Sequence, residues 1–424
     1  MFYFAIVIFM ITYLGIVTEK IPRTYAALAG GMVMIFAGYV TQEDAIRHYI
    51  DFNTLGLLAG MMAMIGVIRQ SGVFEAMAIW AVKITRGRPK ILLALLSVIT
   101  AVTSSLFDAV TAVLLLAPMC ISLARRLEIE PYPFLIMGIL ISNIGGTALM
   151  VGNPPNVMIG SATGLSFNAF FYNLAPCVVL TMVSIVPILI YMYRNELNVK
   201  RPMSPRSLQA LHPGSEIKDM RLLKQSAVVM TLTILGFIFH HHLGLESAAI
   251  AMAGATVLLI ITKTDVKKAM SFIHWETLFF FLGLFILVGG IEEAGVISAL
   301  AQHVLTLTDG DLFLSSGLLI WLAAMASAFV DNIPFTATMI PLISHMQQIM
   351  GSQTDFLWWS LALGACFGGN GTIIGASPNL LIVAMAEKEG YSISFLKYMK
   401  VGFPLTVLSV AIAHLYVMVR YFMF

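Results

Sequence analysis

Asp108 and Asp331 stand 223 positions apart, and the same shift, without a gap, superimposes other unusual residues of the chain. It carries Thr54 onto Thr277, Gly66 onto Gly289, Gly72-Val73 onto Gly295-Val296 and Pro118 onto Pro341. It also carries Gly145-Gly146 onto Gly368-Gly369, Gly152 onto Gly375 and Pro155-Asn156 onto Pro378-Asn379. Small apolar matches arise by chance in a biased chain; paired aspartates, prolines and Pro-Asn at one shift do not. The sequence is therefore read as a duplication, which demands that both halves fold alike. Composition says in what medium. With 59% hydrophobic and 11% charged residues among 424, against about 25% charged in a soluble domain, the apolar residues cannot all be hidden from water. An all-α polytopic membrane protein is expected. A net charge of +2 excludes a basic nucleic-acid binder, and Cys120, Cys177 and Cys366 lack metal or disulfide spacing. No cofactor is expected.

Apolar stretches that could cross a hydrocarbon core of about 30 Å cover 2–18, 25–40, 52–68, 170–193, 227–240, 246–262, 276–291 and 401–419. The first has no basic run before it and no small-residue cleavage pattern after it, so it reads as a retained span. Segments 91–124 and 312–344 are apolar around polar tips, and each is too short for two crossings of about 20 residues plus a turn. Both read as re-entrant hairpins. Segments 133–161 and 356–386 are apolar but interrupted by glycine and proline, and unpaired backbone at membrane depth is tolerated only where protein or a watery cavity surrounds it. These read as broken helices.

Each half then holds three spans, a hairpin, a broken helix and a final span. Five crossings is an odd number, so the copies, 1–193 and 225–424, are expected to be inverted repeats with about ten transmembrane helices between them. The linker 194–224 carries Arg194, Lys200, Arg201, Arg206, Lys218, Arg221 and Lys224, which places it in the cytoplasm. With that anchor, Arg47 and Arg420 are the only basic residues left outside. Both termini are expected to be extracytoplasmic, in a multi-pass protein of the plasma membrane.

Charges inside the hydrocarbon are costly and point to function. Asp108 and Asp331 lie at the hairpin tips, with Ser104 and Ser105 beside one and Asn332 beside the other. Two readings stand for each aspartate: a cap for the helix that follows it, or a group that binds substrate or the coupling ion. The broken helices add Ser142, Asn143, Thr147, Asn153 and Asn156 in one half and Asn370, Thr372, Ser377 and Asn379 in the other. Such breaks expose backbone dipoles to a substrate, although Asn156 and Asn379 are also suited to a local turn after proline. Asn332 offers an amide to its neighbouring carboxylate and Ala109 offers Asp108 nothing. Asp108 is accordingly the candidate proton carrier and Asp331 the candidate for holding substrate. His345 reads as an interfacial histidine, His240-His241-His242 as a solvated turn, and the 27 methionines as flexible packing.

The run Ile141-Ser142-Asn143-Ile144-Gly145-Gly146-Thr147, continuing to Gly152-Asn153-Pro154-Pro155-Asn156, resembles the motif of the ArsB and P-protein permeases of the ion transporter superfamily. Gly368-Gly369-Asn370-Gly371-Thr372, continuing to Gly375-Ala376-Ser377-Pro378-Asn379, is similar to their second motif, and Asp331-Asn332 to their Asp-Asn hairpin tip. The resemblance extends over nearly the whole chain. It implies two re-entrant hairpins, often a dimer, an elevator-like movement, and expulsion of arsenite or antimonite in exchange for protons. A neutral trihydroxide would suit hydrogen-bonding Asn, Ser, Thr and Asp. The first tip departs from the family with Ala109, and the Ser-Asn-Thr motifs of the sodium-coupled dicarboxylate branch are absent.

Two other functions stay open. The same architecture could serve a sodium/proton antiporter or an organic-anion carrier, because fold does not fix substrate. An intramembrane aspartyl protease would use Asp108 and Asp331 as a dyad, but the usual Gly-x-Gly-Asp pattern is missing and duplicated glycine breaks have no role there. The sequence also has no nucleotide-binding P-loop, so a primary pump would need a separate ATPase subunit. The expected partners are a small inorganic solute and protons, not nucleic acid.

Overall fold

The computed structural model describes residues 2–18, 20–198, 212–351 and 354–423. Part of the basic linker, with Lys200, Arg201 and Arg206, lies outside the described residues. Among those described there is no strand, and seven helices are long and apolar enough to cross a membrane: Phe52–Arg69, Pro89–Phe107, Phe167–Met192, Met220–Leu243, Trp275–Glu293, Leu312–Phe329 and Phe395–Met423. Several expected spans form shorter helices. Arg23–Phe36 has 14 residues and Ser247–Thr262 has 16, about 21 and 24 Å at 1.5 Å per residue.

The arms of the hairpins are longer than their apolar cores suggest. Pro89–Phe107 and Ala109–Arg126 turn at Asp108, and Leu312–Phe329 and Asn332–Met350 turn at Val330-Asp331. Each second arm contains a proline at the matched position, Pro118 or Pro341, where a missing N–H favours a kink. The broken helices are interrupted as the glycines require. Tyr132–Gly146 resumes as Pro154–Thr163, and Phe356–Gly368 resumes as Ser377–Lys388.

Segment 69–90 and its counterpart hold no apolar run long enough to cross the membrane, yet the structure places a helix in each, Val73–Ile84 and Val296–Leu307. Both begin after a glycine with positive φ, Gly72 at 78° and Gly295 at 77°, a conformation that other residues adopt at a cost. Phe74, Ala78 and Val82 are buried while Glu75 and Lys83 face out, an amphipathic pattern too short to resemble a span.

Contacts recur when the halves are exchanged. A Cβ on Gly60 would lie 2.7 Å from the backbone of Ala251, and one on Gly283 would lie 2.5 Å from the nitrogen of Leu28, the residues being related by the 223 shift. The glycines thus let Phe52–Arg69 pack backbone to backbone on Ser247–Thr262, and Trp275–Glu293 on Arg23–Phe36. Gly66 likewise meets the ring of Phe272, and Gly289 that of Tyr49. A central seam therefore consists of helices from both halves, each closing on the other's partner. The hairpins pack elsewhere, against the broken helices: Gly145 on Ala101 and Gly368 on Ala324.

Candidate functional site

Where a helix breaks inside a protein, its carbonyls need donors, and the hairpin tips and asparagines supply them. Ser104 donates to the carbonyl of Ser142 at 2.5 Å, and its counterpart Ser327 donates to Ala365 at 2.7 Å. Thr372 donates to Ala328 at 2.5 Å, fastening the second tip to its break. Asn156 donates to the carbonyls of Thr147 and Leu149 at 2.9 and 3.0 Å. Asn379 does the same for Gly369 and Thr372 at 2.7 and 3.0 Å.

The two breaks also meet. Asn143 donates to the side-chain oxygens of Asn370 and Asn379 at 2.8 and 2.9 Å, and Asn370 donates back to the carbonyl of Leu140 at 3.0 Å. Thr147 returns its hydroxyl to Asn143, and Ser105 to Val102, within their own helices. Ser142, Asn143, Thr147, Asn156, Asn370, Thr372 and Asn379 are all buried. The side-chain amide nitrogens of Asn153 and Asn332 are buried without a partner, each one residue from a cavity-lining position, Pro154 or Ile333.

The Asn156 and Asn379 amides thus tie the breaks together as well as standing near them. Asn156→Leu or Asn379→Leu is expected to lower the melting temperature in detergent, because two buried carbonyls lose their donor at about 1–3 kcal/mol each. Melting unchanged in both variants would mean that the carbonyls find other donors.

The aspartates lie in different settings. Asp108 has φ 82° and caps the second arm through the nitrogens of Val110 and Thr111, both at 3.3 Å, with the Thr111 hydroxyl at 3.2 Å. Among the described residues no cation pairs with it, although it is 6% exposed. Asp331 caps Ile333 at 3.0 Å and pairs with Arg23 at 2.8 Å; Ser377 donates to it at 2.8 Å, and Arg23 also donates to Ser377 at 2.6 Å. The Asn332 amide nitrogen does not bond its neighbouring carboxylate, which is one of the two partners, with a bound solute, that the sequence offers it. That place is taken by a guanidinium from another element.

Arg23 is the residue sequence reasoning missed, having been assigned to a cytoplasmic loop. It starts a seam helix, lies over the ring of Phe280 at 5.2 Å, and reaches a hairpin 308 positions away. Its place immediately after Pro22 at the start of an apolar helix was the available signal.

Arg23, Asp108, His274, Ile333 and Ser377 line one cavity of about 530 Å³. An adjoining cavity of about 410 Å³ shares Met62, Leu114 and His274 with it and is also lined by Arg69 and Lys218. A third, of about 450 Å³, has Asp51, Gly289 and Glu292 where the second has His274, Gly66 and Arg69. It shares no lining residue with the cavity at Asp108.

His240 is buried and accepts from the backbone nitrogen of Phe167 at 3.3 Å, so only His241 and His242 are exposed as a solvated turn would be. The three cysteines are buried and free.

Comparison with known proteins supports a transporter. An uncharacterized transporter of Mycobacterium tuberculosis is 37% identical over 423 residues, covering 99% of this chain and 98% of that one. A 46 kDa membrane protein of Mycobacterium leprae is 39% identical over 422 residues, 98% of each. The P protein of Homo sapiens is 30% identical over 492 residues, 96% of this chain but 59% of that protein. In fold, the chain is similar to the YdaH transporter of Alcanivorax borkumensis, with a TM-score of 0.62 at 13% identity, covering 92% of this chain and 88% of that one. It is also similar to MtrF of Neisseria gonorrhoeae, with a TM-score of 0.61 at 13% identity, covering 93% and 85%. The resemblance to the P-protein permeases read from the two glycine motifs is thereby borne out. With the citrate transporter family model matching residues 13–364, the chain belongs to the citrate transporter family, CitMHS, and is an integral membrane transporter, not an enzyme.

Proposed function

We propose that this protein is a proton-coupled secondary transporter whose solute binds in the 530 Å³ cavity between the hairpin tips. The two halves, 1–193 and 225–424, work as inverted repeats, the hairpins and broken helices moving against the glycine-packed seam. The linker lies in the cytoplasm, both chain ends lie outside, and the cavity faces inward through Arg69 and Lys218.

The solute is a small organic anion. One observation carries this: Arg23 and Ser377 already hold a carboxylate, that of Asp331, from the cavity wall. A solute carboxylate that displaced it would find the same guanidinium and hydroxyl, in a pairing geometry for which arginine is suited. The family's description as citrate transporters agrees with this chemistry. Arsenite or antimonite efflux is the second reading, favoured by the unpartnered amides of Asn153 and Asn332, which could serve a neutral trihydroxide.

Everted vesicles under an imposed proton gradient separate the two. Citrate and smaller carboxylates, arsenite, antimonite and sodium are offered in turn. Gradient-driven accumulation of a carboxylate is expected; accumulation of arsenite or antimonite alone would select the second reading, and sodium alone would overturn both.

A further inference from the structure

Contacts within the seam and within the hairpin units occur in both halves. Gly60 with Ala251 repeats as Gly283 with Leu28, and Ser104 with Ser142 repeats as Ser327 with Ala365. Among the described residues the ion pair between seam and hairpin occurs once. Arg23 holds Asp331, while the 223 shift relates Arg23 to Glu246 and Asp331 to Asp108. Glu246 is exposed at the start of Ser247–Thr262, where it makes no capping bond.

A duplicated transporter that alternates by exchanging the conformations of its halves makes, in its second state, the counterpart of each contact that only one half makes in the first. We infer that Glu246 meets Asp108 when the site opens to the opposite face, and that this carboxylate pair is the proton-binding site of that state. The inference rests on the alternating-access reading above, not on the identity of the solute.

The charges around the pair favour this role. In the present state Asp108 faces Arg23, His274 and Glu276 across the cavity. Their counterparts under the shift are Glu246, Asp51 and Asn53, so the exchanged site loses its guanidinium, its imidazole and the carboxylate of Glu276 and gains the carboxylates of Glu246 and Asp51. His240, His241 and His242 end the helix that precedes Glu246; only His240 among them is buried, and it is occupied by Phe167 and Leu245. Two carboxylates brought together cannot both stay ionised, and one proton shared between them resolves the repulsion. The proton enters from the outer solution onto the pair. It remains on Asp108 when Glu246 is left behind with the seam, and is released into the inward cavity as Asp331 regains Arg23. No other bond changes.

Two labelling measurements on the full-length protein in liposomes test this, and neither requires a solute. Leu380→Cys, on the wall of the inward cavity, reports inward access to an impermeant maleimide, the native cysteines being buried. Glu246→Arg is expected to form the missing ion pair with Asp108, hold the outward state and slow Leu380→Cys labelling by about tenfold. Adding Asp108→Asn should restore it. Unchanged labelling in Glu246→Arg, or slowing that persists with Asp108→Asn, overturns the pairing.

The second measurement uses Ser344→Cys, on the outer cavity. Because the outward state binds a proton, it is favoured as pH falls, so labelling from outside, taken relative to an exposed reference cysteine at the same pH because the thiolate is what reacts, should rise at low pH. Glu246→Gln should remove that rise; a rise of the same size in Glu246→Gln overturns the proposal even if Glu246→Arg fails to fold. If labelling behaves as expected while the vesicles accumulate no carboxylate, the solute assignment fails and the proton site stands.

Discussion

Asp108→Asn is expected to abolish uphill transport, by at least about a hundredfold, while leaving downhill solute exchange. The substitution is informative because it changes little besides the titratable proton. An asparagine oxygen can still accept from one of the nitrogens of Val110 and Thr111, which donate to different oxygens of the carboxylate at 3.3 Å. Asparagine also tolerates the φ of 82° at this tip better than most residues, so the turn should survive. What is lost is a buried carboxylate with no cation beside it among the described residues. Uphill accumulation driven by a pH jump is compared with counterflow at equal pH. If Asp108 served only as a cap, both would be near normal; if it also held solute, both would fall. Loss of the first with survival of the second identifies the proton carrier.

The 223-residue shift made much of this architecture legible in advance. Glycines, prolines and asparagines at one shift locate the hairpins and breaks, because each residue type is tied to a local backbone requirement that neither packing nor lipid can override. The amphipathic helices after Gly72 and Gly295 escaped, since 12 residues with one buried face are too short to register as a membrane span. The asymmetry between the aspartates was anticipated from Asn332 and Ala109, yet the structure attaches it to Arg23. No local pattern reveals a pair joined across 308 positions. Counting Arg23 toward the cytoplasmic charge also removed it from consideration, although a long side chain at a helix start reaches inward as readily as outward. The roles of Asn156 and Asn379 were open because an amide that lines a cavity and one that ties a broken helix have the same sequence.

Breaking the Arg23–Asp331 pair from either side is expected to remove transport, and the double variant decides why. Arg23→Gln leaves a carboxylate 11% exposed with only Ser377 and a backbone nitrogen to hold it, and Asp331→Asn leaves a guanidinium 23% exposed over Phe280. Each single change should destabilise the protein, by less than the roughly 3–5 kcal/mol of a fully buried pair because water reaches both groups. In Arg23→Gln/Asp331→Asn neither charge is stranded, so thermal stability should return toward wild type, with a coupling energy of about 0.5–3 kcal/mol in the cycle. Transport separates the two roles. If the pair is only a strut between seam and hairpin, the stable double variant transports. If Arg23 receives the solute's carboxylate when Asp331 gives it up, the double variant folds and yet takes up no anion. Arg23→Lys keeps the charge and a nitrogen able to serve Asp331 and Ser377, which both take Arg23 Nη1, but not the planar fork that suits a solute carboxylate, and it should therefore raise KM for the anion more than it lowers the maximal rate. A lysine variant with unchanged KM would assign solute recognition to some other group in the cavity.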